Sequence, residues 1–187
     1  ISVTAKMWWW EVRYHDPASG REIISANEIR IPAGRDVYVA LTATDVIHSL
    51  WVPALAGKRD MVPGRMTGLT LRADKPGVYR GQCAEYCGEQ HARMALHVVA
   101  LAPAEFEAWL ARERQDAVAP SGPVIERGRQ AFITQRCVAC HTVRGVADVS
   151  RAGPDLTHVG SRLHIAAGTL RNHRGTLAGW IADPEAI

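Results

Sequence analysis

Apolar and polar residues alternate with a period of two through most of the first hundred positions of the chain. The alternating apolar positions are Trp8, Trp10, Val12 and Tyr14; Val37, Val39 and Leu41; Leu69 and Leu71; and Leu96 and Val98. This period predicts β-strands that bury one face. Turn-forming pairs such as Asp16-Pro17 and Pro63-Gly64 separate the runs at intervals typical of antiparallel sheets. The pattern therefore predicts an antiparallel β-sandwich or barrel.

The pattern changes after residue 101. Phe106, Trp109 and Leu110 have helical spacing behind Pro103, a residue that the first turn of a helix tolerates, so one short helix is expected there. Residues 116–123 combine Pro and Gly with small residues and predict a spacer. Helical patterns return at 124–136 and 177–182. We expect a β-rich module over 1–101, a short helix and linker over 102–123, and a small all-α module over 124–187.

Composition and charge add two constraints. The chain is 47% hydrophobic and 22% charged, as is usual for folded proteins, and no apolar run approaches the about 18 residues that cross a bilayer. The net charge of +3 gives no support for nucleic acid as a partner. Residues 1–123 hold 14 basic and 14 acidic residues, whereas residues 124–187 hold 8 and 5, so the excess lies in the second module. We expect that module to favour an acidic partner surface.

Cys137 and Cys140 are followed by His141, which gives the C-x-x-C-H spacing of covalent haem attachment. Two thiols on one turn can reach the two vinyl groups of a porphyrin, and the adjacent imidazole can then ligate the iron. A redox pair, half of a zinc site and a structural disulfide are the alternatives. A redox pair of the thioredoxin type would need a βαβ setting, and zinc would need a second ligand pair in the same module. The sequence shows neither, so it favours haem.

A second cluster of sulfur and imidazole groups lies between residues 83 and 94. Its members are Cys83, Cys87, His91 and Met94. Thiolate, imidazole and thioether ligands together suit copper sites that transfer electrons. These positions also have helical spacing, so the alternative is one face of an amphipathic helix. Gly88 inside the run weakens that alternative, and the second cysteine suggests a second metal ion.

The haem motif has neighbours that strengthen its interpretation. Gly128 and Phe132 precede it, and Gly153-Pro154-Asp155-Leu156 follows. This region resembles class I cytochromes c. The resemblance implies that the Pro154 carbonyl accepts a hydrogen bond from His141 and that Leu156 packs on the haem. The family's second axial ligand is a Met, which we expect beyond residue 187, with His158, His164 and His173 as weaker alternatives.

The copper motif has partners elsewhere in the first module. They are Trp8-Trp9-Trp10, Asp45-Val46-Ile47-His48 and Asp60-Met61-Val62-Pro63-Gly64. In this order the motifs resemble the copper domain of subunit II of haem-copper cytochrome c oxidases, which implies a cupredoxin-like fold. The implied copper ligands are Cys83 and Cys87 as bridges, His48 and Met94 on one ion, and His91 and the backbone carbonyl of Glu85 on the other. The Glu85 side chain is implied to help bind magnesium beside the catalytic subunit, and Trp8 is implied to be the exposed residue where electrons enter.

The fused haem module resembles the oxidase subtype with a cytochrome c behind the copper domain. The resemblance implies that electrons pass from a donor, such as a cytochrome c or a quinol-oxidising complex, to haem c and then to copper. A catalytic subunit I would then reduce oxygen to water. It also implies a bacterial membrane protein whose domains face the periplasm, with two membrane helices before Ile1. The alternatives are a nitric oxide reductase subunit, nitrous oxide reductase, and a copper chaperone or redox-sensing module.

Overall fold

Two five-stranded sheets form the first part of the protein. The computed structural model describes residues 1–16, 20, 22–148, 150 and 152–186. The strands are β1 (Ser2–Lys6), β2 (Trp9–His15), β3 (Glu22–Ala26), β4 (Glu28–Pro32), β5 (Val37–Ala43), β6 (His48–Trp51), β7 (Arg59–Met61), β8 (Thr67–Leu71), β9 (Gly77–Cys83) and β10 (Ala95–Leu101). Every run of alternating residues in the sequence lies largely within one of these strands, so the prediction of β-structure is confirmed.

The sheets have the orders β3-β2-β1-β5-β8 and β4-β10-β9-β6-β7. Two neighbouring pairs run parallel, namely β1 with β5 and β4 with β10, whereas the other described pairs in these sheets are antiparallel. The predicted sandwich is confirmed, but its sheets are mixed and not antiparallel throughout. Alternation reports which face of a strand is buried, but it contains no information about the direction of a neighbour from a distant part of the sequence.

The core lies between the two sheets. Its largest fully buried apolar side chains are Trp10, Ile29, Ile31, Leu41, Leu50, Met61, Leu71, Met94 and Leu96. Burying each such side chain stabilises the fold by roughly 1.5–3 kcal/mol. Trp10, Val12 and Tyr14 share the inner face of β2, as the pattern predicts, whereas Trp8 lies in the turn before the strand.

Helix α1 (Pro103–Glu113) closes one side of this core. Phe106 and Trp109 on its inner face are buried, and the Trp109 ring meets Tyr14 edge-on at 5.1 Å. Glu105 accepts a hydrogen bond from the backbone amide of Ala102 at 3.3 Å, which satisfies a free donor at the helix start. The predicted helix is confirmed, and its apolar residues extend the core of the β-rich module.

The remainder of the chain contains α2 (Pro123–Thr134), β11 (His164–Ile165), β12 (Leu170–Arg171) and α3 (Arg174–Ala182). Both predicted helices are present, but β11 and β12 form a small hairpin that the expectation of an all-α module did not include. Its turn places Ala166, Ala167 and Gly168 at positive φ angles. Two alanines give no turn signal in a sequence, so this hairpin was not predictable from composition.

The C-terminal part contacts the β-rich module directly. Ala95 donates a backbone hydrogen bond to Ala167 at 2.9 Å, and Ala117 donates one to Arg144 at 3.0 Å. The Arg144 guanidinium donates to the carbonyls of Glu113 and Gln115. The expected flexible spacer is therefore held at its beginning, because Arg144 binds the chain that leaves α1. Among the described residues, no helix has both the length and the apolar character that a membrane span requires.

Candidate copper and haem sites

Three strands bring the sulfur and imidazole groups to one end of the sandwich. His48 begins β6, Cys83 ends β9, and Met94 directly precedes β10. These strands are neighbours in one sheet, with Leu50 opposite Cys83. Cys83 donates a backbone hydrogen bond to Met94 at 2.9 Å, which fixes the start of the connecting loop to its end. The loop from 84 to 93 then supplies Cys87 and His91.

The predicted copper ligands form one compact cluster. The two cysteine Sγ atoms are 3.7 Å apart, and both thiols are free. Cys83 Sγ lies 3.8 Å from His48 Nδ1 and 3.2 Å from the Glu85 carbonyl oxygen. Cys87 Sγ lies 3.5 Å from His91 Nδ1 and 3.8 Å from Met94 Sδ. The structure thus brings together all six residues that the sequence analysis named as copper ligands.

Burial separates this cluster from an ordinary surface group. His48, Cys83, Cys87 and Met94 are each 3% exposed or less, and His91 is half-buried. Among the described residues, His48, Cys83 and Cys87 are the one group of three His, Cys, Asp or Glu side chains whose ligand atoms lie within 4.8 Å of each other. A buried set of soft sulfur and nitrogen donors fits copper. The alternative of an amphipathic helix is wrong, because only His91–Arg93 forms a short 3-10 helix here.

The two thiols differ electrostatically. Burial raises the pKa of the Cys83 thiol, but hydrogen bonds from the His48 ring and from backbone groups outweigh it and bring the pKa to about 7. Burial and the charge of the Cys83 thiolate raise the pKa of Cys87 to about 12. Without metal, the two neighbouring thiols therefore retain a proton between them, and a metal ion that binds both sulfurs must displace it.

Asp45 is a functional candidate to which the sequence analysis assigned no role. Its Oδ1 lies 2.8 Å from His48 Nε2, and its carboxylate also accepts the backbone amides of Met7 and Val46 at 2.7 Å each. A carboxylate on the second nitrogen of a metal-binding imidazole fixes the ring orientation. The signal in the sequence is an acidic residue three positions before the histidine.

Trp8 contacts the cysteine loop. Its Nε1 donates to the Cys87 carbonyl at 2.9 Å. Gly88 has a φ of +115°, and a Cβ atom built there would lie 3.0 Å from the Trp8 ring. Trp8 was predicted to be exposed, but the structure leaves it only partly accessible because its ring rests on this loop.

The haem motif lies in an exposed, irregular segment. Cys137 begins a single 3-10 turn over Cys137–Ala139, and Cys140 directly follows it. The His141 amide donates to the Cys137 carbonyl at 3.0 Å. His141 Nδ1 lies 2.7 Å from the Pro154 carbonyl, the contact that the resemblance implied. Nε2 is then the nitrogen that would ligate iron. A Cβ at Gly153 would lie 2.7 Å from the His141 ring, so a glycine is needed beside it.

The other positions near the haem motif have definite surroundings. Leu156 is half-buried, and its contact with a haem stays a prediction. His158 Nε2 lies 2.9 Å from the Gln115 carbonyl, His164 stacks on His97, and His173 caps α3 by accepting the Thr176 amide. These contacts weaken the case for each histidine as a substitute axial ligand.

A cavity of about 440 Å³ lies beside α3. Its lining residues are Gly160, Asn172, His173, Arg174, Leu177, Ala178 and Ile181.

A β-sandwich with a sulfur-rich ligand cluster at one end defines an electron-transfer copper protein of the cupredoxin type. Residues 16–101 match the model of the periplasmic domain of cytochrome c oxidase subunit II, and residues 125–186 match that of cytochrome c. The periplasmic domain of subunit II (CoxB) from Bradyrhizobium japonicum is 31% identical, with a TM-score of 0.56 over 61% of this chain and 91% of that one. The chain belongs to the cytochrome c oxidase subunit II family.

Curated relatives extend the likeness across both modules. Cytochrome c oxidase subunit 2 of Alkalihalophilus pseudofirmus is 38% identical over all of this chain and 53% of the relative. The Bacillus subtilis protein of the same name is 30% identical, over all of this chain and 54% of the relative. The chain thus spans about half the length of the curated relatives it matches. These matches favour an oxidase over the nitric oxide reductase and copper chaperone alternatives, and family membership implies copper and haem c as cofactors.

Proposed function

We propose that this chain transfers electrons within a haem-copper terminal oxidase. Electrons from a donor would enter at a c-type haem, pass to a pair of copper ions, and continue to a catalytic subunit that reduces oxygen to water. The observation that supports this most strongly is the buried pair of free thiols, 3.7 Å apart, with two imidazoles and a thioether around them.

The copper residues would have distinct tasks. Cys83 and Cys87 would each bind both ions through sulfur, His48 and Met94 would complete one ion, and His91 with the Glu85 carbonyl would complete the other. A copper pair held by these residues would supply a one-electron carrier. The protein supplies a fixed geometry, because His48, Cys83 and Met94 lie at strand ends and Asp45 holds the His48 ring. Burial keeps water away from the sulfurs.

The second module would be a small class I cytochrome c domain over residues 124–187, joined by the helix and linker of 102–123 to the copper module of 1–101. Cys137 and Cys140 would bind haem covalently, and His141 would ligate the iron. The Pro154 carbonyl would keep the proton on Nδ1 and so leave Nε2 for the metal. Leu156 would pack on the haem, which supplies a second one-electron carrier.

Partners and location follow from the family. The copper end would face oxidase subunit I, and the exposed Glu85 carboxylate would help bind magnesium at that interface. Trp8 would be the point where electrons enter the copper pair, because its indole contacts the Cys87 carbonyl. The donor would be a cytochrome c or a quinol-oxidising complex. We propose a membrane-anchored bacterial protein whose two modules face the periplasm or outer surface.

Metal analysis and electron paramagnetic resonance of the oxidised protein test this function. We expect two coppers and one haem per chain, with a hyperfine pattern from one electron shared by two copper nuclei. Cys87→Ser should abolish that pattern and leave the haem spectrum unchanged. The matched control, Cys140→Ser, should disturb haem attachment and leave the copper pattern intact. One isolated copper per chain, or a stable disulfide between Cys83 and Cys87, would contradict the proposal.

A further inference from the structure

A small interface joins the two modules beside the copper site. Strands β11 and β12, with the turn between them, lie against β4 and β10 of the copper module. The Glu28 carboxylate in β4 is 2% exposed and accepts the backbone amides of Leu163 and His164, the latter at 2.9 Å. The Ala167 carbonyl accepts the amide of Ala95, the residue after Met94. The C-terminal module therefore contacts the chain directly beside a proposed copper ligand.

Two histidines stack at the centre of this interface. The rings of His97 in β10 and His164 in β11 lie 3.7 Å apart at 10° to each other. His97 is 6% exposed, and the Nδ1 atoms of both rings are buried with no hydrogen-bond partner among the residues that the structure describes. Neutral imidazoles tolerate such a stack, since an unprotonated Nδ1 needs no acceptor. A protonated ring would bury an N–H without a partner, at substantial cost.

The charges around the pair make protonation harder still. Arg80 in β9 lies opposite His97, and Arg171 in β12 lies opposite His164. Glu28 in β4 lies opposite His97, but its carboxylate already accepts two amides and the guanidinium of Arg30. The side chain of Arg162 is also buried near Glu28. Among the described residues, His97, His164 and Glu28 do not form a ligand group as compact as the copper cluster.

We propose that the stacked His97–His164 pair is a proton-sensitive contact that holds the C-terminal module on the copper module at neutral pH and releases it on acidification. The consequence for electron flow rests on the proposed function. When the modules are docked, the Ala167 carbonyl bonds the residue next to Met94, whereas a released module loses that contact. Acidification would then slow transfer from haem to copper without changing either metal centre.

The direction of the effect follows from the pKa values. Burial, His164 and Arg80 lower the pKa of His97 to about 4, and burial lowers the pKa of His164 despite the opposing charge of Glu28. Above its ordinary pKa of about 6.5, His97 is neutral in both states and docking is unaffected. Below that pKa, His97 binds a proton in the released state but stays unprotonated in the docked state. The docking constant should fall about 30-fold between about pH 8 and about pH 5 from His97 alone.

Hydrogen exchange at the Ala95 amide tests the proposal, because that amide is bonded to the C-terminal module. In the full chain with its metals bound, we expect the protection factor of the Ala95 amide to fall about 30-fold over this pH range, after correction for intrinsic exchange. The amide of Val98, within the same strand, should change far less. Small-angle scattering of the same samples should show an increase in the radius of gyration at the lower pH.

Two variants separate the histidine pair from other titrating groups. His164→Phe and His97→Phe each keep an aromatic ring in the stack but remove one titratable ring, so protection at Ala95 should depend less on pH in either. The control is His15→Phe, because His15 is exposed at the end of β2, and it should behave as the unmodified protein. Constant protection in the unmodified protein, or the same loss in both stack variants, would overturn the proposal. Copper and haem spectra of these samples report separately on the proposed function.

Discussion

The copper and haem sites are built in opposite ways. The proposed copper ligands lie at strand ends and in the loop of residues 84–93, beside a continuous apolar core, and His48, Cys83, Cys87 and Met94 are buried. The proposed haem-binding residues lie in an irregular segment, and neither α2 nor α3 contains a buried residue. Among the described residues, Ile165 is the one buried apolar side chain beyond Trp109. We therefore expect the first module to form its site before metal binds, whereas the second would use haem as part of its core.

This contrast agrees with the physics of small domains. The part of the second module that the structure describes buries little apolar surface, and a bound group that is itself apolar can add to such a small core. The sandwich has no such need, because its core comes from ten strands and α1. The contrast predicts that removing each cofactor has very different effects on the protein.

The largest expected effect is the response to haem loss. Cys137→Ala combined with Cys140→Ala prevents covalent attachment, and we expect α2 and α3 to lose most of their helical circular dichroism. The copper centre and its resonance pattern should remain. The reciprocal control, Cys83→Ala with Cys87→Ala, should lose copper but keep the sheet signal, because the sheet core is apolar. Full helicity of the C-terminal module without haem would refute the contrast.

A matched pair of truncations tests the same contrast through packing. Ile31 in β4 is fully buried, so Ile31→Ala should lower the free energy of unfolding of the copper module by about 3 kcal/mol. Ile125 in α2 is 55% exposed, so Ile125→Ala should change stability by less than about 0.5 kcal/mol. Urea denaturation with separate sheet and haem signals measures both. Equal losses at the two positions would show that the C-terminal module has a core of its own.

The sequence predicted the strongly patterned parts of this molecule. Four of the strands (β2, β5, β8 and β10), α1, the two later helices and the grouping of sulfur and imidazole side chains follow from alternation, helical spacing and short motifs, which depend on local chemistry. The parallel pairing of β1 with β5 was not predictable, because pairing partners are chosen by the whole core. The turn at Ala166-Ala167 was not predictable either, because alanine rarely adopts a positive φ angle and does not signal a turn.

The contacts between the two modules could not be predicted from the sequence either. Pro and Gly in residues 116–123 indicate a spacer, but they do not reveal that Arg144 binds the carbonyls before it. Asp45 shows the same limit at the copper site, because its role depends on a 2.8 Å contact with His48 that only the structure reveals. A charged side chain near a motif is usually solvated, so only geometry distinguishes a positioning carboxylate from a surface one.

A smaller effect concerns the loop that joins the copper site to Trp8. Gly88→Ala forces a side chain into a positive-φ position and towards the Trp8 ring, so we expect a loss of about 2 kcal/mol and a shifted copper spectrum. Gly34 also has a positive φ, but nothing lies within 4 Å of its would-be Cβ. Gly34→Ala should therefore cost stability without altering the spectrum. An unchanged spectrum in Gly88→Ala would mean that Trp8 does not constrain the ligand loop.

The smallest effect tests whether α1 belongs to the copper module's core. The buried Tyr14 hydroxyl accepts the Arg30 backbone amide at 2.6 Å, and burial raises the pKa of Tyr14. Tyr14→Phe leaves that amide unpaired beneath α1, so we expect a loss of about 1 kcal/mol in the free energy of unfolding. Tyr38 is 63% exposed, and Tyr38→Phe should be nearly neutral. If Tyr14→Phe is also neutral, water must reach Arg30 under the helix, and α1 would be a loosely attached segment.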